Sequence, residues 1–198
     1  MITSKKDYLD LIKKKRLVFE PNLSPSQLGE SHVSLTLGEF FYVISHQTFR
    51  REQPASFSID VSKKIPIEYG FPVRAKKITL SQHDCVLAVT REKVTLPLSH
   101  QGRVSGNSSL GRVFCLVHVT AHDVDPGFSG HLTMEIANLS PVPITLVAGK
   151  TFFRFCLEQL SSPVFKRYEG SYGNQPYPIP FGSGTINWNL KQKKHFII

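Results

Sequence analysis

The 198-residue sequence is short of cysteine, of acidic residues and of long apolar runs, and each shortage narrows what the chain can be. Its three cysteines are Cys85, Cys115 and Cys156. They are odd in number, far apart inside apolar, strand-like segments, and no two have CxxC spacing. That argues against both a disulfide framework and a zinc site. The thiols read instead as small buried hydrophobes. No apolar stretch approaches the roughly 18 residues a membrane-spanning helix needs. The first residues, Met1 to Asp7, lack the apolar core of a signal peptide. A soluble, reducing, cytoplasmic setting is the expectation. Asp and Glu number 15 against 24 Lys and Arg, giving a formal charge of +9 and a pI near 9.6. Such a surplus favours anionic partners, such as nucleic acid, a membrane surface or phosphorylated small molecules. It is concentrated in Lys13-Lys14-Lys15-Arg16, in Lys191 to Lys194, and in the pairs Lys63-Lys64 and Lys76-Lys77. Runs of that kind also serve simply as solvated faces. Nucleic acid is not expected, because no aromatic and basic residues interleave in the RNA-binding manner.

No tandem repeat is present, and the length suits a single domain, residues 1–198, with a real core. Only one helix is convincing. Ser4 and Asp7 resemble an N-capping pair, and Tyr8, Leu11 and Ile12 recur at helical spacing up to Lys15. After the turn signals at Pro21 and Pro25 the pattern becomes β. Strands are predicted at Val33–Leu37, Phe40–Ile44, Phe57–Val61, Lys77–Leu80, Cys85–Thr90, Val94–Leu96, Val113–Thr120, His131–Asn138, Pro143–Val147 and Thr151–Leu160. Residues 46–56, with Arg50 and Arg51, read as a loop, and Ile65–Tyr69 is ambiguous. Many short strands punctuated by Gly and Pro imply an all-β sandwich or barrel. Past Pro163 the chain turns rich in Tyr, Gly and Pro, which excludes a regular helix or a central strand.

Chemistry concentrates in residues 104–138. Gly106-Asn107-Ser108-Ser109-Leu110-Gly111-Arg112 reads as a turn that either cradles phosphate with nested N–H groups, hydroxyls and a guanidinium, or is an ordinary β-turn with a surface arginine. It is not the Walker pattern, since no Gly-Lys-Ser/Thr follows. His118 and His122 stand four apart in a predicted strand, about 13 Å from each other, too far to share one metal ion. Asp125-Pro126-Gly127 is a turn. Glu135 lies between Met134 and Ile136 in a strand, where burying a carboxylate is costly unless it is paired or has a task. Desolvation there would raise its pKa, as a general acid/base near neutrality requires. A structural ion pair with an arginine is the other reading.

The ordered set Gly106 to Arg112, His118-Val119-Thr120-Ala121, Asp125 to Gly130, Met134-Glu135 and Asn138 resembles the dCTP deaminases of the dUTPase-like superfamily. The resemblance continues through Leu139 to Gly149, Leu157 to Pro163, and Tyr168 with Tyr172-Gly173-Asn174-Gln175. It implies a distorted, jelly-roll-type β-barrel that assembles as a homotrimer with active sites at subunit interfaces. It also implies deamination of dCTP to dUTP and ammonia without zinc, with Mg2+ accompanying the triphosphate. By matching position Glu135 would be the general acid/base. Asn107, Ser108, Ser109 and Arg112 would form the shell around the triphosphate and the water, and Ala121 would offer backbone contacts near that water. Asp125 would hold the sugar, and Thr133 and Met134 would line the base pocket. Tyr168 and Gln175, in a tail of residues 164–198, would close over the phosphates as a lid.

The sequence departs from the family's usual pattern where Asn107 replaces Arg or Lys and Ser171 replaces Lys. Each loss removes a charged hydrogen bond worth roughly 1.5–3 kcal/mol. Lys166 and Arg167 sit close by, and nothing after Pro180 has a family counterpart. Two alternatives stand beside the deaminase reading. One is a dUTP diphosphatase or a bifunctional deaminase–diphosphatase, with Asp125 orienting or activating a water for the α-phosphate with Mg2+ assistance. The other is a nucleotide-binding regulatory protein with weakened catalysis.

Overall fold

Two long strands carry the molecule, and both are built across bulges. The computed structural model describes residues 1–44, 62, 70–118, 120–180 and 186–198. Strand β2 (Val33–Ile44) unites two predicted strands, and so does β5 (Cys85–Thr95). Gly38 interrupts the apolar alternation of β2 where its pairing with β5 slips between Leu37 and Phe41, and Arg91-Glu92-Lys93 interrupts β5 where its pairing with β9 slips between Val89 and Lys93. A bulge inserts residues without ending the strand, so period-two reading splits one strand into two.

Before them come α1 (Lys5–Lys13) and β1 (Val18–Glu20). The Asp7 carboxylate accepts from the Ser4 N–H at 3.2 Å and from its hydroxyl at 2.6 Å, which satisfies the helix start as the sequence predicts. The helix buries Tyr8 and Leu11. Further along lie β3 (Phe71–Arg74), β4 (Lys77–Leu80), β6 (His100–Gly106), α2 (Ser108–Arg112), β7 (Cys115–Val117), β8 (Asp123–Val124), β9 (Ser129–Asn138), β10 (Ile144–Val147), β11 (Thr151–Gln159) and β12 (Phe196–Ile197). The main sheet runs β7-β9-β5-β2-β11-β6-β8, with β1 on β5 and β3 on β2, and a small sheet runs β10-β4-β12. The core lies against the inward faces, around Phe153, Phe155, Met134, Ile136 and Leu37, each nearly or fully buried.

Several expectations change on contact with this frame. Residues 108–112 form one turn of helix rather than a β-turn, because the Asn107 side chain caps it by accepting from Leu110 N–H at 3.0 Å. The strand predicted over Val113–Thr120 shrinks to β7, bracketed by left-handed residues Phe114 (φ 55°) and His118 (φ 54°). Strand β6 was hidden by Gly102, whose inward position would otherwise be apolar. A Cβ there would come within 2.6 Å of the Phe155 ring. Of the three cysteines only Cys115 is buried, while Cys85 and Cys156 are half-buried; all three are free thiols. The predicted loop at 46–56 and strand at Phe57–Val61, with Ile65–Tyr69, fall outside the described residues.

The last residues are the largest departure. Trp188 stacks on Tyr177 with centroids 5.1 Å apart, and Phe40 of β2 meets both rings edge-on. The Lys193 N–H donates to the Arg74 carbonyl at 2.8 Å. Strand β12 then pairs with β4 in parallel, Phe196 opposite Ile78. The Ile198 N–H donates to the Thr79 carbonyl at 3.0 Å, and the Ser81 hydroxyl donates to the Ile198 carbonyl at 2.8 Å. Residues 186–198 thus form a strap across the sheet. Among the described residues no helix is long and apolar enough to cross a membrane.

Candidate active site

The site grows from the alternation of β9. Leu132, Met134 and Ile136 point into the core, so His131, Thr133 and Glu135 share the opposite face. That face forms one wall of a cavity of 420 Å³. Leu87 stands across from Glu135 in the β5–β9 ladder. His118 closes one end, the segment from Ala121 to Phe128 forms a second wall, and Tyr168, Tyr172 and Ile179 of the tail form the third.

Glu135 is not the buried acid the sequence suggested. Its side chain is 51% exposed, because the apolar neighbours take the inward positions and leave it outward. Its carboxylate meets the Nδ1 of His118, whose ring is only 9% exposed. The His118 N–H also donates to the Glu135 carbonyl at 2.9 Å. The left-handed backbone at His118 turns the chain out of β7 immediately after Val117 pairs with Ile136, which brings the imidazole back over the carboxylate. The partner of Glu135 is therefore a histidine, where the sequence reading offered an arginine.

Asp125 opens the turn across the cavity, with Phe128 N–H donating to its carbonyl at 3.1 Å. Neighbouring Asp123 lies 3.5 Å from His122 Nε2 and 3.4 Å from Arg103 Nε, whereas Asp125 has no charged partner among the described residues. Three carboxylates therefore line the cavity in different settings: Glu135 against an imidazole, Asp123 beside His122 and Arg103, and Asp125 exposed to solvent. The tail is held against this turn. Tyr168 N–H donates to the Pro126 carbonyl at 3.1 Å, its ring lies 5.6 Å from that of Phe128, and Asn174 N–H donates to the Ser129 carbonyl at 2.6 Å.

Of the sequence-predicted residues, Ala121, Asp125, Thr133, Glu135 and Tyr168 converge here. Met134 does not line the cavity with its side chain, which is 0% exposed on the opposite face. Asn107 commits its amide elsewhere, to the helix cap and to the Thr151 carbonyl at 3.2 Å. Ser108, Ser109 and Arg112 are exposed on α2 and are not part of this cavity within one chain. Gln175 lies beside it, its carbonyl accepting from His131 N–H at 3.4 Å and its side-chain amide donating to the Ser171 carbonyl at 3.2 Å. Sequence reasoning missed His131; it set His118 aside as a metal ligand and, beyond its place in the family motif, gave it no role. Counting back by twos from Glu135 would have found His131; the backbone twist that delivers His118 has no such signal.

Comparison with known proteins fits this geometry. The nearly all-β fold has a counterpart among solved structures. It is similar to the crystal structure of a 2'-deoxycytidine 5'-triphosphate deaminase from Agrobacterium tumefaciens, with a TM-score of 0.57 at 19% identity over 79% of this chain and 47% of that one. Residues 2–160 match the dCTP deaminase-like family model, and the chain belongs to that family. Similar proteins include one named dCTP deaminase, dUMP-forming, from Nocardioides, 38% identical over 89% of this chain and 87% of the relative. Another of the same name, from Mycolicibacterium vanbaalenii, is 35% identical over 91% of this chain and 94% of its own.

Proposed function

We propose that the protein deaminates dCTP hydrolytically and carries the nucleotide on to dUMP. The carrying observation is the pair of carboxylates, Glu135 and Asp125, on facing walls of one cavity. The sequence reading put dUTP first as product and the bifunctional enzyme second; the dUMP-forming relatives favour the second.

With cytosine beside Thr133, Glu135 accepts a proton from the water that adds to C4. It then delivers a proton to the amino group, and ammonia leaves as the C4 carbonyl forms. His118 holds the carboxylate in place. For the second step, Asp125 accepts a proton from a water attacking the α-phosphorus, and pyrophosphate departs. Among the described residues no three acidic, His or Cys groups converge to hold a metal ion. Mg2+ would be carried by phosphate oxygens and water, with the exposed Asp125 carboxylate in the same cavity. When bound it would neutralise phosphate charge.

The exposed Ser108, Ser109 and Arg112 support assembly as a homotrimer, in which a neighbouring copy would bring them to the phosphates. The exposed apolar side chains of Val113, Phe114, Leu116, Leu139 and Val142 next to α2 and β7 suit such an interface. Tyr168, Tyr172 and the tail after them would exclude water as a lid. One incubation tests the reading: dCTP with Mg2+, with and without a zinc chelator, following ammonia, dUTP, dUMP and pyrophosphate. Ammonia with dUMP and pyrophosphate, unaffected by chelator, is expected. Ammonia with dUTP alone would limit the protein to the first step, and nucleotide binding without turnover would point to a regulatory role.

A further inference from the structure

Beside the main cavity, on the far side of His131, lies a groove of 660 Å³ that the reaction above does not use. It exists because two bulges coincide. The β2–β5 ladder slips between Leu37 and Phe41, and the β5–β9 ladder slips between Val89 and Lys93. Gly38 lets the strands approach there, since a Cβ would meet the Val89 carbonyl at 2.9 Å. Bulges re-aim side chains, and here the re-aimed residue is Arg91.

The floor under Arg91 is a network of buried hydrogen bonds. The buried Glu92 carboxylate accepts from Gln27 Nε2 at 2.8 Å, Thr36 N–H at 2.9 Å and the Thr36 hydroxyl at 2.7 Å. The Thr90 hydroxyl donates to the Glu92 carbonyl at 2.7 Å and accepts from Leu132 N–H at 3.0 Å. Arg91 itself is exposed and lines the groove, with no acidic partner among the described residues. The one carboxylate in the lining, Glu39, is engaged by Arg74 at 3.4 Å and by the Gln192 amide.

His131 is the wall shared by groove and cavity. Its Nδ1 lies 2.9 Å from the Thr90 carbonyl, which can only accept, so Nδ1 carries the proton and Nε2 has no partner among the described residues. Pro176 and Tyr177, immediately after the tail residues that reach the cavity, complete the lining.

We propose that this groove is a phosphate subsite, in which the Arg91 guanidinium grips a phosphoryl group beyond the His131 wall. The proposal rests on reading the main cavity as the nucleotide site. The phosphoryl group has two sources, the distal phosphates of the bound nucleotide or free pyrophosphate. A planar guanidinium suits either, by paired N–H to oxygen hydrogen bonds.

Calorimetric titration of the full chain and its Arg91→Ala and Arg91→Lys variants with dCTP, deoxycytidine and inorganic pyrophosphate separates the cases. Arg91→Ala is expected to weaken dCTP about tenfold, the size of one charge-assisted hydrogen bond, to leave deoxycytidine unchanged, and to be partly rescued by Arg91→Lys. A loss confined to pyrophosphate assigns the subsite to the free anion. Pyrophosphate binding that depends on Arg91, in a protein that ignores dCTP, keeps the subsite while removing the proposed function. Wild-type affinities for dCTP and pyrophosphate in Arg91→Ala would overturn the subsite. So would an equal loss on deoxycytidine, which carries no phosphate, or a wild-type chain that binds neither anion.

Discussion

At the scale of single residues, the informative contact is the one between Glu135 and His118. Replacing the carboxylate by an amide of equal size removes proton transfer but little volume. Glu135→Gln is therefore expected to abolish ammonia release from dCTP while nucleotide affinity stays within a few-fold of wild type. Turnover at the wild-type rate would remove the role given to Glu135. The sequence pointed to this residue for a reason the structure reverses. Lying between Met134 and Ile136 suggested burial, yet period-two alternation sends those neighbours inward and leaves Glu135 at the cavity. Asn107 shows the opposite limit. Its place in a Ser- and Gly-rich run suggested phosphate contact, but its amide is committed to the α2 cap and the Thr151 carbonyl. Short polar side chains satisfy local backbone as readily as they bind ligands, and sequence does not separate the two.

At the scale of elements, α1 was readable because its caps and its apolar spacing agree. What the sequence could not supply was its partner. Tyr8 is fully buried, and its hydroxyl accepts from the Leu157 N–H of β11 at 2.7 Å. This bond ties the helix to the main sheet, beside the Thr3 N–H, which donates to the Leu157 carbonyl at 2.9 Å. Burial pushes the phenol well above its usual range, so it remains neutral. Tyr8→Phe keeps the ring and leaves a buried amide unpaired, at a cost of about 1–3 kcal/mol. Urea denaturation should show that loss as a lower midpoint with an unchanged slope; an unchanged midpoint would mean water replaces the hydroxyl. Strands with clean alternation, such as β9, β10 and β11, were legible almost to the residue. Those interrupted by glycine or by bulges, β6 and the joined halves of β2 and β5, were not. At those points packing against another strand, rather than local pattern, decides the conformation.

At the scale of the whole molecule, two histidines link folding to pH. Burial holds the His100 imidazole below its ordinary range of about 6.5, with Arg16 acting the same way and Asp7 against it. His32 is lowered too, by burial and by Arg154. A histidine whose folded pKa is depressed takes up protons more readily when unfolded. Its share of stability is therefore complete above about pH 6.5 and is lost as pH falls from there toward the folded value. Midpoints of denaturation measured between pH 8 and pH 5 should decline below pH 6.5. His100→Gln should flatten part of that decline, whereas an identical decline in the variant would acquit His100. The all-β class, with one short helix near the N-terminus, was legible in the sequence at this scale. The course of residues 186–198 was not, because β12 pairs with a strand more than a hundred positions away in sequence, Phe196 opposite Ile78.

The stack of Trp188 on Tyr177 turns that strap into an optical probe. The chain has one tryptophan, and it lies outside the main hydrophobic core, in a small cluster around Tyr42. Intrinsic fluorescence therefore watches the strap, while circular dichroism watches the strands. A segment held by one short parallel pairing, an aromatic stack and scattered single hydrogen bonds opens at lower free energy than the continuous ladders of the sheet beneath it. Thermal scans should show the emission shifting to the red several degrees before the β signal melts. Coincident curves would mean that the strap and the sheet unfold as a single cooperative unit.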